Sequence, residues 1–360
     1  MKKIFIGIDF SKEKFDVVII MAENLEEKAP RVHEQFANDK AGYRKFLKWV
    51  KVNSHGVDMS LWLFCGENTG DYSKGLANFL YGKGCDMWLE NAKCIKDSCG
   101  IRRLKSDRAD AAMIAEYAMR NHDRMTLYEP LSGPLAQLRE LFLFRQMNVR
   151  KRSGYIVRKG EKGRTLDSSP AKSFMARKCK HMIAELDKTI KECDKMIEAL
   201  IASDRDLQET YEIVTSVPGI GAQNAVCMMV YTDNFKRFDC NPRKIACYYG
   251  IAPFGHDSGT SVHCDPHVHY MANKTIKGIL TQAALCAINH CPPVAHYYAR
   301  LIERGKKTMV ALNNVKNKLV RIVTALVRTK QKFIPEYEFA KRYFSHNKAQ
   351  FYATKIAIKP

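Results

Sequence analysis

The sequence reads as an α/β domain built on a mixed sheet, followed by an elongated helical segment and a mostly helical C-terminal region. Three observations carry that reading. Two unbroken apolar runs, Ile4–Ile8 and Leu61–Gly66, each end on an acid, Asp9 and Glu67, as buried strands do rather than solvated ones. Strand-like runs then give way to alternating strand and helix patterns. Beyond residue 130 the apolar spacing is almost wholly helical.

Each element has its own justification. Strands are expected at about residues 3–9, 15–21 and 31–36, joined by short polar connections that suit antiparallel hairpins. Helical spacing of Tyr43, Phe46, Leu47 and Val50 follows, with Asn38 as the expected cap. A strand at about 59–66, a helix at about 72–82 and a strand at about 85–90 come next. The alanine-rich segment after Lys105-Ser106-Asp107-Arg108-Ala109-Asp110 starts another helix. A three-stranded meander followed by β-α-β-α is the order of an RNase H-like fold. In that order Asp9 and Glu67 fall on neighbouring central strands.

Pro130 and Pro134 mark a boundary. In the middle segment Ile183, Leu186, Ile190, Cys193, Ile197 and Leu200 follow an a/d seam. That seam suits either a helical hairpin within one subunit or a coiled coil between subunits. A basic stretch, Arg150-Lys151-Arg152 through Arg158-Lys159, Lys162 and Arg164, is placed between the helices. Farther on, Val217-Pro218-Gly219-Ile220-Gly221 reads as a helix-hairpin-helix joint whose backbone N–H groups can hold a DNA phosphate. The helices at about 294–332 carry further cations, Lys306 and Lys307 among them, suited to backbone contact with nucleic acid.

The 360 residues hold 59 Lys+Arg against 38 Asp+Glu, a net charge of +21. The excess is spread along the chain, which argues for a polyanionic partner, nucleic acid, rather than a membrane surface. No apolar run approaches a membrane span. Met1-Lys2-Lys3 imitates a signal peptide, but Asp9 breaks the apolar stretch too early for one. Twelve scattered cysteines without a C-x-x-C pair fit free thiols in a reducing cytosol.

Asp9, Glu67, Asp107 and Asp110 stand out against other acids such as Asp16, Asp58, Asp71, Asp86 and Asp97 because of placement. Two are at strand ends, and two are three apart on one helix face. Carboxylates so gathered repel one another unless a cation neutralises them, and oxygen ligands suit Mg²⁺ or Mn²⁺. The histidine-rich His256, His263, His267 and His269 invite zinc, but their spacing matches no ordinary ligand set. Ser258-Gly259 reads first as a turn; a nucleophilic serine there needs neighbours such as His256 or Asp257, whose geometry a sequence cannot show.

Taken together, three motifs resemble the DEDD-type transposases of bacterial insertion sequences, a family of bridge-RNA-guided serine recombinases. They are Ile6-Gly7-Ile8-Asp9-Phe10-Ser11 through Val17, Lys105-Ser106-Asp107-Arg108-Ala109-Asp110-Ala111, and Pro218-Gly219-Ile220-Gly221 with Tyr249-Gly250-Ile251-Ala252-Pro253 and Ser258-Gly259. The resemblance implies a RuvC-like domain at 1–130 holding divalent metal on Asp9, Glu67, Asp107 and Asp110. It implies a helical, coiled-coil linker at 131–205, a transposase domain at 206–340 with Ser258 as nucleophile, and a tail at 341–360. It further implies target and donor DNA, a noncoding bridge RNA, a tetrameric assembly with a composite site, and a bacterial cytoplasmic, nucleoid-associated location. Nucleic acid would meet Gly219, Gly221, Arg150, Lys151, Arg152, Lys306 and Lys307. The histidine-rich loop departs from relatives, which tend to be basic there. Two rivals stay open: a hydrolytic RuvC-like endonuclease of the junction-resolvase type, and a nucleic-acid-binding scaffold without catalysis.

Overall fold

A computed structural model describes residues 3–21, 31–100, 106–131, 133–160, 170–258, 262–269 and 273–334. The chain divides into two compact units, residues 1–130 and 131–360. Each is built around its own apolar core.

In the first unit β1 (Ile4–Phe10), β2 (Lys14–Met21) and β3 (Val32–Ala37) form the antiparallel meander. After α1 (Lys40–Asn53) come β4 (Trp62–Glu67), α2 (Asp71–Tyr81), β5 (Met87–Glu90), a short α3 (Ala92–Ser98) and α4 (Asp107–Asn121). β4 pairs parallel to β1, and β5 parallel to β4, so the five-stranded mixed sheet runs β3-β2-β1-β4-β5. The expected order of elements is present, with α3 as an addition.

Side chains alternate between the faces of each strand, and both faces are covered. Ile4, Ile6, Ile8, Phe15, Val17 and Phe64 pack with Phe46 of α1 and Leu76 and Leu80 of α2. On the other face Phe5, Leu63, Cys65 and Trp88 pack with Ile114 of α4, and Val18 and Ile20 with Ala111, Ala112 and Ala115. The alanines let α4 lie close to the sheet. Gly7 completes the fit, because a Cβ there would stand 2.2 Å from the Ala111 carbonyl oxygen and 2.3 Å from the Ala115 nitrogen.

The cap of α1 corrects the sequence reading. Asp39, not Asn38, accepts from the Gly42 N–H. Asn38 is instead a brace: its amide donates to the Ser11 and Tyr72 carbonyls, and its oxygen accepts from the Tyr43 hydroxyl. A side chain with donors and an acceptor can tie three segments, which a carboxylate cannot do.

The second unit opens with two long helices, α5 (Gly133–Gly160) and α6 (Pro170–Ser203). Arg145 pairs with Asp194 and Arg152 with Asp187; the constant sum of these positions makes the helices antiparallel within one chain. Cys193 and Ile197 of the a/d seam are buried, while Ile183, Leu186 and Ile190 are half-buried. The basic residues 150–158 stand in the last turns of α5, not between the helices. Lys162 and Arg164 lie outside the described residues, as does the 341–360 tail.

Then follow α7 (Arg205–Thr215), α8 (Ala222–Tyr231), α9 (Pro242–Tyr248), β6 (Pro253–Ser258), β7 (Val262–Val268), α10 (Lys274–His290), α11 (Pro292–Glu303) and α12 (Thr308–Thr329). Leu135, Leu138, Phe142, Ile197 and Ile201 share one core with Met229, Tyr249, Leu280 and Val320, so the roots of α5 and α6 belong to this unit's core. β6 and β7 make an antiparallel hairpin where a turn and loop were expected. Every described cysteine is a free thiol. No helix among the described residues is long and apolar enough to cross a membrane.

A Gly7→Ala chain, forced to push α4 off the sheet, should lose about 1–3 kcal/mol of stability or more in urea unfolding. Gly278→Ala, in α10 with open space around its Cβ, should gain about 0.5–1 kcal/mol. Equal effects of the two substitutions would contradict this packing.

Candidate active site

β1 and β4 run parallel and side by side, with Ile8 opposite Gly66. The next residue of each strand is the acid, so Asp9 and Glu67 emerge at the same carboxyl end of the sheet, where open α/β sheets place their ligands. Both lie on the face that α4 covers, since Gly7 and Cys65, two residues earlier, face that helix. Asp107 is the first residue of α4 and Asp110 stands one turn on. Ser106 caps the helix by accepting from the Ala109 N–H. Acids in a first turn also meet the positive end of the helix dipole.

The electrostatics centre on Asp9. Its pKa is raised from 3.8 to about 7, first by burial and then by the charges of Asp110, Glu67, Asp107 and Asp16. Five carboxylates therefore share one region of a chain with a large cation excess. The nearby cation is Lys14, whose Nζ is 3.2 Å from Asp107 Oδ2. Both side chains of that pair are substantially exposed, and it draws Asp107 toward the β1–β2 turn. Among the described residues no three His, Cys, Asp or Glu side chains stand close enough to grip a metal ion. The chemistry of the donor set nevertheless fits one: carboxylate oxygens at two strand ends and one helix start are the hard ligands that Mg²⁺ and Mn²⁺ take.

Asp16 is the residue that sequence reasoning passed over as a spare acid. It sits on β2 directly opposite Asp9 in the β1–β2 register and is 4% exposed. His33 Nε2 lies 2.8 Å from its Oδ1, and the Gln35 amide donates to its Oδ2 at 2.9 Å. The signal was available: a short turn at Ser11–Glu13 fixes the pairing of residue 9 with 16, and like charges opposite one another are unfavourable in a ladder. Glu90 is a second such acid. It lies opposite Glu67 and accepts from the Tyr117 hydroxyl.

The other singled-out residues all belong to the second unit. Ser258 is the last residue of β6, opposite Val262 at the closed end of the hairpin. Its side chain, like those of His256, Asp257 and His263, lies outside the described set, as does Gly259. His267 and His269 are exposed. Gly219 has φ +89° and sits where a Cβ would be 2.6 Å from the Ala283 carbonyl oxygen; α10 therefore requires glycine there whether or not a phosphate binds. Gly221 is exposed at the cap of α8 with open space around it. Arg150 donates to Thr275 Oγ1 at 2.7 Å, and Arg152 pairs with Asp187. Lys151, Lys306 and Lys307 are exposed.

Residues 6–158 match a family model described as transposase, and residues 211–299 match one described as the transposase IS116/IS110/IS902 family. The chain is also similar to the pilin gene-inverting protein of Moraxella bovis. The two are 25% identical over 288 residues, covering 79% of this chain and 83% of that protein. The pilin gene-inverting protein of Moraxella lacunata matches at the same identity and coverage.

The raised pKa of Asp9 has a stability consequence. The folded chain holds this proton to a higher pH than the unfolded chain does, so the contribution is present below about pH 4 and is lost as pH rises toward about 7. In EDTA the melting temperature should fall more between pH 5 and 8 for the wild type than for Asp9→Asn. Parallel pH profiles would show that Asp9 does not carry this charge strain.

Proposed function

The chain is a DNA transposase-recombinase, and we propose that it cuts and rejoins DNA through Ser258, with Asp9, Glu67, Asp107 and Asp110 holding a divalent cation. One observation carries the reading: a single chain bears two transposase regions in order. The first contains all four acids, set at strand ends and one helix start; the second contains Ser258. On this reading the first unit is RNase H/RuvC-like. Its meander and its parallel β1, β4 and β5 support that assignment.

The chemistry balances without an outside energy source. Ser258 Oγ attacks the phosphorus of a DNA phosphodiester, forming a phosphoserine ester and releasing a 3′-hydroxyl. The 3′-hydroxyl of the exchanged strand then attacks the same phosphorus, re-forming a phosphodiester and freeing the serine. The serine proton leaves in the first step and is returned in the second. A bound Mg²⁺ or Mn²⁺ supplies charge neutralisation at the phosphate oxygens. Asp9 and Glu67 present oxygen donors from rigid strand ends, while Asp107 and Asp110 present theirs from one face of α4. To hold a cation, Asp107 would release Lys14, a small cost for an exposed pair.

The net charge of +21 and the exposed Lys151, Lys306 and Lys307 support a nucleic-acid partner, to which Gly219, Gly221, Arg150 and Arg152 would add backbone contacts on this reading. The family resemblance extends the partner to target and donor DNA and a bridge RNA. Exposed apolar side chains along α5 and α6, among them Phe144, Val157, Phe174 and Met182, support assembly through the helical pair into a tetramer. A second reading, a hydrolytic RuvC-like endonuclease, also accounts for the acids, but leaves Ser258 without a role.

A nicked suicide substrate separates the two. Wild-type protein with Mg²⁺ should be trapped as a covalent protein–DNA adduct. Ser258→Ala should lose that adduct by about a thousandfold or more, and Asp9→Asn and Asp110→Asn should lose cleavage. Cleavage that persists unchanged in Ser258→Ala would leave the endonuclease reading standing and remove this one.

A further inference from the structure

We propose that Asp16 is a positioning residue of the carboxylate site, clamped by His33 and Gln35 so that it fixes a negative charge beside Asp9 without ligating the cation itself. The inference rests on the reading of Asp9, Glu67, Asp107 and Asp110 as cation ligands.

Placement comes first. Asp16, Val18 and Ile20 alternate along β2 with Phe15, Val17 and Ile19. Val18 and Ile20 pack against Ala111, Ala112 and Ala115 of α4, so Asp16 points to the α4 face. Asp9 is directly opposite it on β1, and side chains opposite one another in an antiparallel pair have Cβ atoms about 4.5–5.5 Å apart. Asp16 thus lies on the face, and at the end of the sheet, where the four acids converge.

The clamp comes second. Both Asp16 oxygens are engaged from β3, Oδ1 by His33 Nε2 at 2.8 Å and Oδ2 by the Gln35 amide at 2.9 Å. Gln35 is the cross-strand partner of Asp16, and His33 is the next residue of that face. With one lone pair of each oxygen engaged from β3, the Asp16 carboxylate is held toward that strand rather than toward an ion beside Asp9. Its charge remains. Among the described residues Asp16 is the buried acid of the sheet, at 4% exposure. A buried carboxylate is costly unless hydrogen-bonded, and here the hydrogen bonds are supplied where they do not neutralise Asp9.

The cost of that arrangement shows its purpose. Two carboxylates facing each other across a ladder destabilise it, and neither strand needs an acid at this position to form. A divalent cation reverses the sign: the same charge that repels Asp9 attracts the ion. Groups behind a ligand typically change metal affinity tenfold to a hundredfold when altered. Asp16 acts in that way, through field and orientation.

The test is Mn²⁺ binding to the full chain without DNA, followed by the electron paramagnetic resonance signal of free Mn²⁺, for wild type, Asp9→Asn and Asp16→Asn. Asp16→Asn should weaken Mn²⁺ binding roughly tenfold, and Asp9→Asn more than that. Cleavage by Asp16→Asn should recover at high Mn²⁺, which a defect in folding would not allow. If Asp9→Asn abolishes binding while Asp16→Asn binds as wild type, the positioning role is wrong and the ligand reading stands. If neither substitution changes binding, both fall. Should Asp16→Asn fail to fold, His33→Leu and Gln35→Leu keep the charge but release the carboxylate. Unaltered Mn²⁺ affinity in both would overturn the clamp, and altered affinity in both would support it.

Discussion

Repulsion among carboxylates at one end of the first sheet is the constraint on which the rest of this unit turns. Asp9, Asp16, Glu67 and the Asp107–Asp110 pair meet because β1 and β4 are parallel neighbours, β2 returns antiparallel, and α4 starts just above them. None of these neighbouring charges stabilises the fold, and the pKa of the Asp9 carboxyl is raised to about 7, first by burial and then by the acids around it. The surroundings are built to withstand that repulsion. Unbroken apolar strands anchor the acids, Asn38 ties the β1–β2 turn to the start of α2, and Gly7 lets α4 lie against β1.

The two units divide the chemistry differently. In the first, the carboxylates sit on strand ends and a helix start, elements that hold side chains in fixed geometry. In the second, Ser258 ends the first strand of a two-stranded hairpin in an otherwise helical unit. Cations are carried on α5 and just before α12, although several are already engaged. Arg145 and Arg152 stitch α5 to α6, and Lys316 is buried in α12 with its pKa lowered by burial and by Lys277. Total charge therefore overstates the surface available to nucleic acid.

Much of the first unit was legible in the sequence. Apolar runs ending on Asp9 and Glu67, and the Ser106 cap ahead of Asp107, set strand ends and a helix start by local rules alone. What the sequence hid was pairing. Asp16 looks like any acid in an amphipathic strand until the β1–β2 register places it opposite Asp9. Asn38 looks like a cap until Ser11, Tyr43 and Tyr72 gather round it. The seam of α6 was equally ambiguous, because an a/d pattern buries as well against a helix of the same chain as against a neighbour's. Arg145 and Arg152 pair α6 with α5 of the same chain, and no local signal marks that pairing. Gly219, read first as a phosphate-binding glycine, is required in any case by the approach of α10.

Calorimetric titration of Mn²⁺ into the DNA-free chain at pH 6.5, repeated in buffers of different ionisation enthalpy, tests the central claim most directly. A cation bound by Asp9 must displace the proton that this residue holds up to about pH 7. Mn²⁺ binding should show an observed enthalpy that varies with the buffer, reporting proton release that is absent in Asp9→Asn. Binding with no buffer dependence, or proton release undiminished in Asp9→Asn, would contradict it.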